Sequence, residues 1–285
     1  MVGDAADRRC STGRTRQGLR LVLEAESVAS FIPGSPVRVL VLAHGFPWPD
    51  DSKSDNELVE YARAAVRRWR AFAEKHHAIL VAPPFGGRDF AGYQEMAGRE
   101  TGPDEFVNLL VDEMAREHIP HVNGRFSLHG HSAGAQFAAR YLVTHPGRLT
   151  NVILSAPSTY PFPDPGTPWP DSMGAAARHR VSGSAVTPRP EGWRAAATEV
   201  AVGVLVGSQD TEPRPTAPGQ PGSTRIERAI AWVDTMHRHA EANRRQSTVR
   251  LSVVDGLGHD EAAMAVPAQN MLAGQWAAAR RSRAT

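Results

Sequence analysis

The chain is short of cysteine, of lysine and of long apolar runs, and each shortage excludes something. A single cysteine, Cys10, among 285 residues rules out an internal disulfide framework and fits a reducing compartment. Only Lys53 and Lys75 are lysines; the other cations are arginines, spread along the chain and nearly balanced by acids. The formal net charge of +2 therefore marks no nucleic-acid-binding surface, and no nucleic-acid partner is expected. No stretch approaches the ~18 consecutive apolar residues that a membrane helix needs, so no membrane role is expected either. The first ten residues mix acids with arginines and carry no apolar core, which does not read as a secretory signal. The expected location is cytoplasmic.

What is present is enough apolar sequence, 41% against 22% charged, to fill a sizeable core without disulfides or structural metals. Short β-branched runs alternate with longer amphipathic ones. Residues 19–24, 37–43, 78–82, 125–129, 151–155, 200–207 and 249–254 read as strands. Several are apolar almost throughout, as strands covered on both faces must be. Residues 56–75, 104–118, 133–145, 225–245 and 259–280 read as helices. The alternation predicts an α/β fold with a mainly parallel sheet flanked by helices. The organisation expected is a flexible N-terminal tail over 1–18 and one domain over 19–280. Two stretches rich in proline and glycine interrupt the rhythm, 156–199 and 212–222. The first carries Tyr160, Phe162 and Trp169, which favours a small irregular lid over a disordered linker.

The most informative segment is Gly130-His131-Ser132-Ala133-Gly134, which follows an apolar strand and opens a helix. Gly-x-Ser-x-Gly in that context places the serine on a sharp turn at the carboxyl edge of a sheet, against a helix N-terminus. A hydroxyl is a poor nucleophile at neutral pH and needs a base, which in turn needs an orienting acid. His259 and Asp210 supply them in the expected chain order, each just beyond a strand. Asp255 and Asp260 compete with Asp210 for the acid role. The oxyanion hole is expected from the backbone amides of Ala133 and Phe46, the latter in the loop His44-Gly45-Phe46 after an early strand. His44 reads as a brace for that loop or as a histidine buried at a strand end. Phe46, Trp48, Tyr160, Phe162 and Trp169 are candidates to line a substrate pocket, the other reading for each being ordinary core. No metal site is expected: His118-Ile-Pro-His121 lacks the continuous glutamate-bearing helix of a zinc motif.

The segments His44-Gly45, Gly130 to Gly134, Gly207-Ser208-Gln209-Asp210 and Gly256-Leu257-Gly258-His259 together resemble the α/β-hydrolase superfamily. The proline-rich aromatic segment that starts at Ser155, with the long insertion between acid and histidine, resembles its polyhydroxyalkanoate-depolymerase-like and feruloyl-esterase-like members. The loop His44-Gly45-Phe46-Pro47 is also similar to epoxide hydrolases and haloalkane dehalogenases, but those use an aspartate where this chain has Ser132. The resemblance implies a cofactor-free serine hydrolase cleaving a carboxylic ester of a small-molecule substrate through an acyl-enzyme. An acyltransferase or thioesterase acting on a biosynthetic intermediate would use the same triad. A non-catalytic binding protein on a hydrolase fold is the alternative of a different class.

Overall fold

The computed structural model describes residues 10–14, 20–24, 38–47, 54–117, 124–174, 188–215 and 219–284. Trp48, Lys53, His118 and His121 lie outside them. The described strands form one eight-stranded sheet: β1 (Cys10–Arg14), β2 (Arg20–Glu24), β3 (Arg38–Ala43), β4 (Ala78–Ala82), β5 (Phe126–His131), β6 (Leu149–Ser155), β7 (Ala201–Gly207) and β8 (Val249–Val254). Their order across the sheet is β1-β2-β4-β3-β5-β6-β7-β8. The six from β4 to β8 in that order are parallel, and β1 and β2 add antiparallel at one edge. β1 falls inside the stretch expected as a flexible tail; its register with β2 runs from Cys10 opposite Glu24 to Arg14 opposite Arg20. Polar composition hid this strand, because an edge strand needs backbone pairing more than apolar side chains.

Continuous apolar runs form the central strands because both faces of the sheet are covered. Val39, Val41 and Ala43 of β3 point to one core, and Leu40 and Leu42 to the other. The first core is completed by α2 (Pro103–Glu117), α3 (Ala133–Thr144), α4 (Pro190–Thr198) and α5 (Arg225–Ala242). The second is closed by α1 (Asp55–His76) and α6 (Glu261–Ala284). Trp69, Trp193 and Trp232 are each buried; for a large apolar side chain that is worth about 1.5–3 kcal/mol.

Local chemistry sets the helix ends. Ser54 caps α1 by accepting the Glu57 amide, while the Glu57 carboxylate accepts the Ser54 amide at 2.9 Å. Thr224 and Glu227 repeat that box at α5. The expected irregular stretch 156–199 is irregular over 156–174, then becomes helical at α4, whose Trp193 sits in the core. Pro190 stands in the first turn of α4, where a proline favours a helix start. Among the described residues no helix is long and apolar enough to cross a membrane.

Candidate active site

Ser132 stands between β5 and α3 with φ 51° and ψ −113°, a strained turn for a residue with a side chain. Backbone bonds hold it there. Its amide donates to the Ser155 carbonyl at 2.8 Å, and its carbonyl accepts the amides of Ala135 and Gln136 at 3.1 and 3.0 Å. Glycine is obligatory on both sides of the turn. A Cβ on Gly130 would lie 2.2 Å from the Gly134 oxygen, and one on Gly134 would lie 2.0 Å from the Ala43 oxygen. The elbow thus closes directly onto the end of β3. Ala133 is the first residue of α3, where amides have no intrahelical acceptor.

Two later strands deliver the partners. Asp210 follows β7 and is buried; His259 follows β8 and is exposed. Gly207 lets their loops meet: a Cβ there would strike the Leu257 carbonyl at 2.2 Å, and that carbonyl accepts the Gln209 amide at 2.8 Å. His259 Nδ1 lies 2.9 Å from Asp210 Oδ2, and its Nε2 lies 3.0 Å from Ser132 Oγ. With the carboxylate ionised, Nδ1 donates, which leaves Nε2 to accept the serine proton. Burial by itself presses the Asp210 carboxyl upward. The His259 hydrogen bond and the nearby Arg225 charge outweigh it and hold the group below the usual aspartate range.

The competing carboxylates are otherwise engaged. Asp255 accepts from Ser208 Oγ at 3.2 Å, and Asp260 accepts the Ala263 amide at 2.7 Å at the start of α6.

Three buried histidines lie under this edge of the sheet. His44 donates from Nδ1 to the Gly45 carbonyl at 2.7 Å, and Tyr93 donates to the His44 carbonyl at 2.9 Å. Burial lowers His44 to about 4 and His129 to about 3, so both are neutral near pH 7. His131, whose ring is 5.0 Å from that of His259, is also pushed well below its ordinary value by burial. His44 is thus buried at the end of β3, with its ring bonded to the carbonyl of Gly45 in the loop that contains Phe46.

No family model and no curated protein matches the chain by sequence. Solved structures do match it in shape. A poly(aspartic acid) hydrolase-1 from Sphingomonas sp. KT-1 superposes with a TM-score of 0.71 at 17% identity, over 92% of this chain and 97% of that one. A poly(3-hydroxybutyrate) depolymerase from Bordetella parapertussis does so with a TM-score of 0.65 at 20% identity, over 92% and 88%. A ferulic acid esterase gives 0.55 at 17% identity, over 92% and 96%. The chain has the α/β-hydrolase fold.

Within the α/β-hydrolase fold, the aromatic pocket candidates divide. Phe46 is half-buried against the larger core. Tyr160, Phe162 and Trp169 are buried in that core, with Tyr160 stacked on Trp232 at 5.1 Å between centroids. Packing is the role that aromatics more often fill, and composition alone did not separate it from substrate contact. Three functional-site neighbours escaped the sequence reading. Arg225 donates to Asp210 Oδ1 at 2.7 Å and to Ser158 Oγ at 3.1 Å. Glu261, two residues past His259, pairs with Arg68 at 3.0 Å and accepts the amide of Gly45. Arg225, Arg68 and Glu261 read in sequence as ordinary helix residues, and no spacing rule links them to the elbow.

Proposed function

We propose that the protein is a serine hydrolase that cleaves a carboxylic ester through an acyl-enzyme, with Ser132 as nucleophile, His259 as general base and Asp210 as its orienting acid. The observation that carries this reading is the unbroken relay from Asp210 through His259 to Ser132, ending on a serine in a strained elbow. Neighbours of the same fold that are named as a ferulic acid esterase and a poly(3-hydroxybutyrate) depolymerase support the ester as the bond attacked.

The steps follow from these positions. A substrate carbonyl carbon enters beside Ser132 Oγ, with its oxygen towards the amides of Ala133 and Phe46. His259 Nε2 takes the serine proton as the C–O bond forms, and Asp210 stabilises the imidazolium and keeps its tautomer. Negative charge gathers on the former carbonyl oxygen at the N-terminus of α3, where the helix dipole and free amides favour it. The protonated His259 then gives its proton to the leaving alcohol. A water, deprotonated by the same imidazole, attacks the acyl-enzyme; the bond from Ser132 Oγ to the acyl carbon breaks, His259 returns the proton to Oγ, and the acid leaves. In this reading Phe46 flanks the acyl group, while Tyr160, Phe162 and Trp169 shape the pocket from behind.

The test is hydrolysis of p-nitrophenyl esters from acetate to palmitate, together with labelling by a fluorophosphonate probe. Wild type should turn over and label, and Ser132→Ala should lose about 10⁶-fold in kcat and all labelling. Activity surviving in Ser132→Ala would discard the triad. A folded wild type that neither turns over nor labels would favour a binding protein on this fold.

A further inference from the structure

Asp210 uses its two oxygens differently. Oδ2 faces His259 Nδ1, whereas Oδ1 accepts from Arg225 Nη1 at 2.7 Å. Arg225 is the first residue of α5, and it and Asp210 are both nearly inaccessible, at 4% and 3% exposure. Its Nε donates to Ser158 Oγ at 3.1 Å, in the irregular segment that leaves β6. One turn further along α5, Arg228 donates to the carbonyl of the same Ser158 at 2.7 Å. The charged and titratable groups around this pair are His259 from the loop after β8, Arg214 and Glu212 from the loop after β7, Tyr160 from the segment after β6, Arg228 from α5 and His131 from β5.

A buried ion pair adds little net stability compared with well-packed apolar side chains, so its geometric consequences are the more telling property. An aspartate carboxyl turns readily about its last torsion, because that sp³–sp² rotation has broad minima. With His259 as sole partner, Asp210 could rotate and take the imidazole with it. A guanidinium on the opposite oxygen fixes the carboxylate plane. Arginine's rigid fork also lets one side chain grip two groups at a set angle, which lysine cannot do.

We propose that Arg225 is a positioning residue that couples the acid of the triad to the pocket-forming segment, holding Asp210 with one nitrogen and Ser158 with another. This rests on the assignment of Ser132, His259 and Asp210 given above. It has two separable consequences. The guanidinium shares the Asp210 charge and so tempers the pull of the carboxylate on the His259 proton. The Ser158 contact ties the position of segment 156–174 to the catalytic acid, so substrates that press on that segment are sensed at the triad.

The experiment measures the rate of fluorophosphonate labelling and kcat and KM for p-nitrophenyl esters between pH 5 and pH 9. It compares wild type, Arg225→Met, Arg225→Lys and Ser158→Ala. Arg225→Met should lower kcat by about 10²-fold, the scale of a misplacement near 1 Å, and move the acid limb of kcat/KM to higher pH. Arg225→Lys should restore the acid limb, because the charge returns, while leaving KM raised. Ser158→Ala should raise KM with the acid limb unmoved. A pH profile and kcat in Arg225→Met equal to wild type would overturn the proposal, even if its melting temperature fell. An acid limb in Arg225→Lys displaced as far as in Arg225→Met would also overturn it. Failure of wild type itself to label would instead reject the hydrolase assignment, and this proposal with it.

Discussion

At the elbow, Ser132 is held by its own backbone: one amide bond to β6, two carbonyl bonds into α3, and glycines that press against β3. The segment from 156 to 174, which leaves the neighbouring strand, is folded on itself by backbone bonds such as Phe162 to Asp171 and Trp169 to Gly174. Beyond Ala156, however, it is tied to the rest of the protein by side chains from elsewhere in the chain. Gln220 closes both polar groups of the Tyr160 backbone, at 2.9 and 2.6 Å, and Trp232 donates to the Pro161 carbonyl at 2.9 Å. Arg140 reaches the Pro170 carbonyl at 2.9 Å, and Arg228 reaches the carbonyls of Ser158, Pro215 and Gly222. Backbone-held structure tolerates almost any side chain except at the glycines. Side-chain-held structure depends on single long residues, and each of those can be removed alone.

Acid is the broadest way to press on the elbow side, where His44 and His129 are buried. Their native values, about 4 and about 3, lie below that of an unfolded histidine. Between pH 6.5 and those values the unfolded chain binds protons that the native protein does not, so stability is full above pH 6.5 and falls as the pH drops. By pH 5 the two histidines together should cost about 4 kcal/mol. Urea unfolding from pH 7.5 to pH 4.5 would measure this, and because His131 is buried and pushed down as well, His129→Gln should flatten the slope by roughly a third. An unchanged slope would remove His129 from the account.

Gly134→Ala attacks the elbow through space alone. Its Cβ would meet the Ala43 carbonyl, a backbone atom that cannot swing aside, and about 3 kcal/mol should be lost along with labelling of Ser132. Gly147→Ala is the matched control, since nothing lies within 4 Å of that Cβ, and its unfolding midpoint should barely move.

Arg228→Met tests the opposite region. It leaves three carbonyls without their donor, and solvent entry should limit the loss to about 2 kcal/mol. Hydrogen exchange should quicken at the amides of Tyr160 and Phe162, while the Ser132 amide, bonded to Ser155, stays protected. Loosening at Ser132 as well would mean that the two regions unfold together and the contrast fails.

The same contrast explains which features the amino-acid sequence reveals. Ala78–Ala82 and Val249–Val254 match their predicted strands to the residue: the first is an apolar run buried throughout, and the second is an edge strand with Arg250 and Ser252 between its apolar residues. The elbow was legible because its whole requirement lies within five residues. Strand β1 was missed, being an edge strand with polar residues, and α4 was missed within a stretch dominated by proline and glycine. Tyr160, Phe162 and Trp169 were noticed as aromatics, but whether each meets solvent, substrate or core depends on Trp232, Gln220 and other residues that arrive from later in the chain.

By itself, then, the amino-acid order determined the parallel α/β architecture and the placing of serine, acid and histidine after their strands, because periodicity and turn chemistry act over a few residues. Tertiary structure put Asp210, which the chain order already favoured over Asp255 and Asp260, 2.9 Å from His259. It alone brought Arg225 behind that carboxylate and Arg228 beneath the segment after β6. A buried guanidinium has no sequence signature: what it pairs with is set by where distant loops come to rest, and desolvation then forces the pairing to be complete.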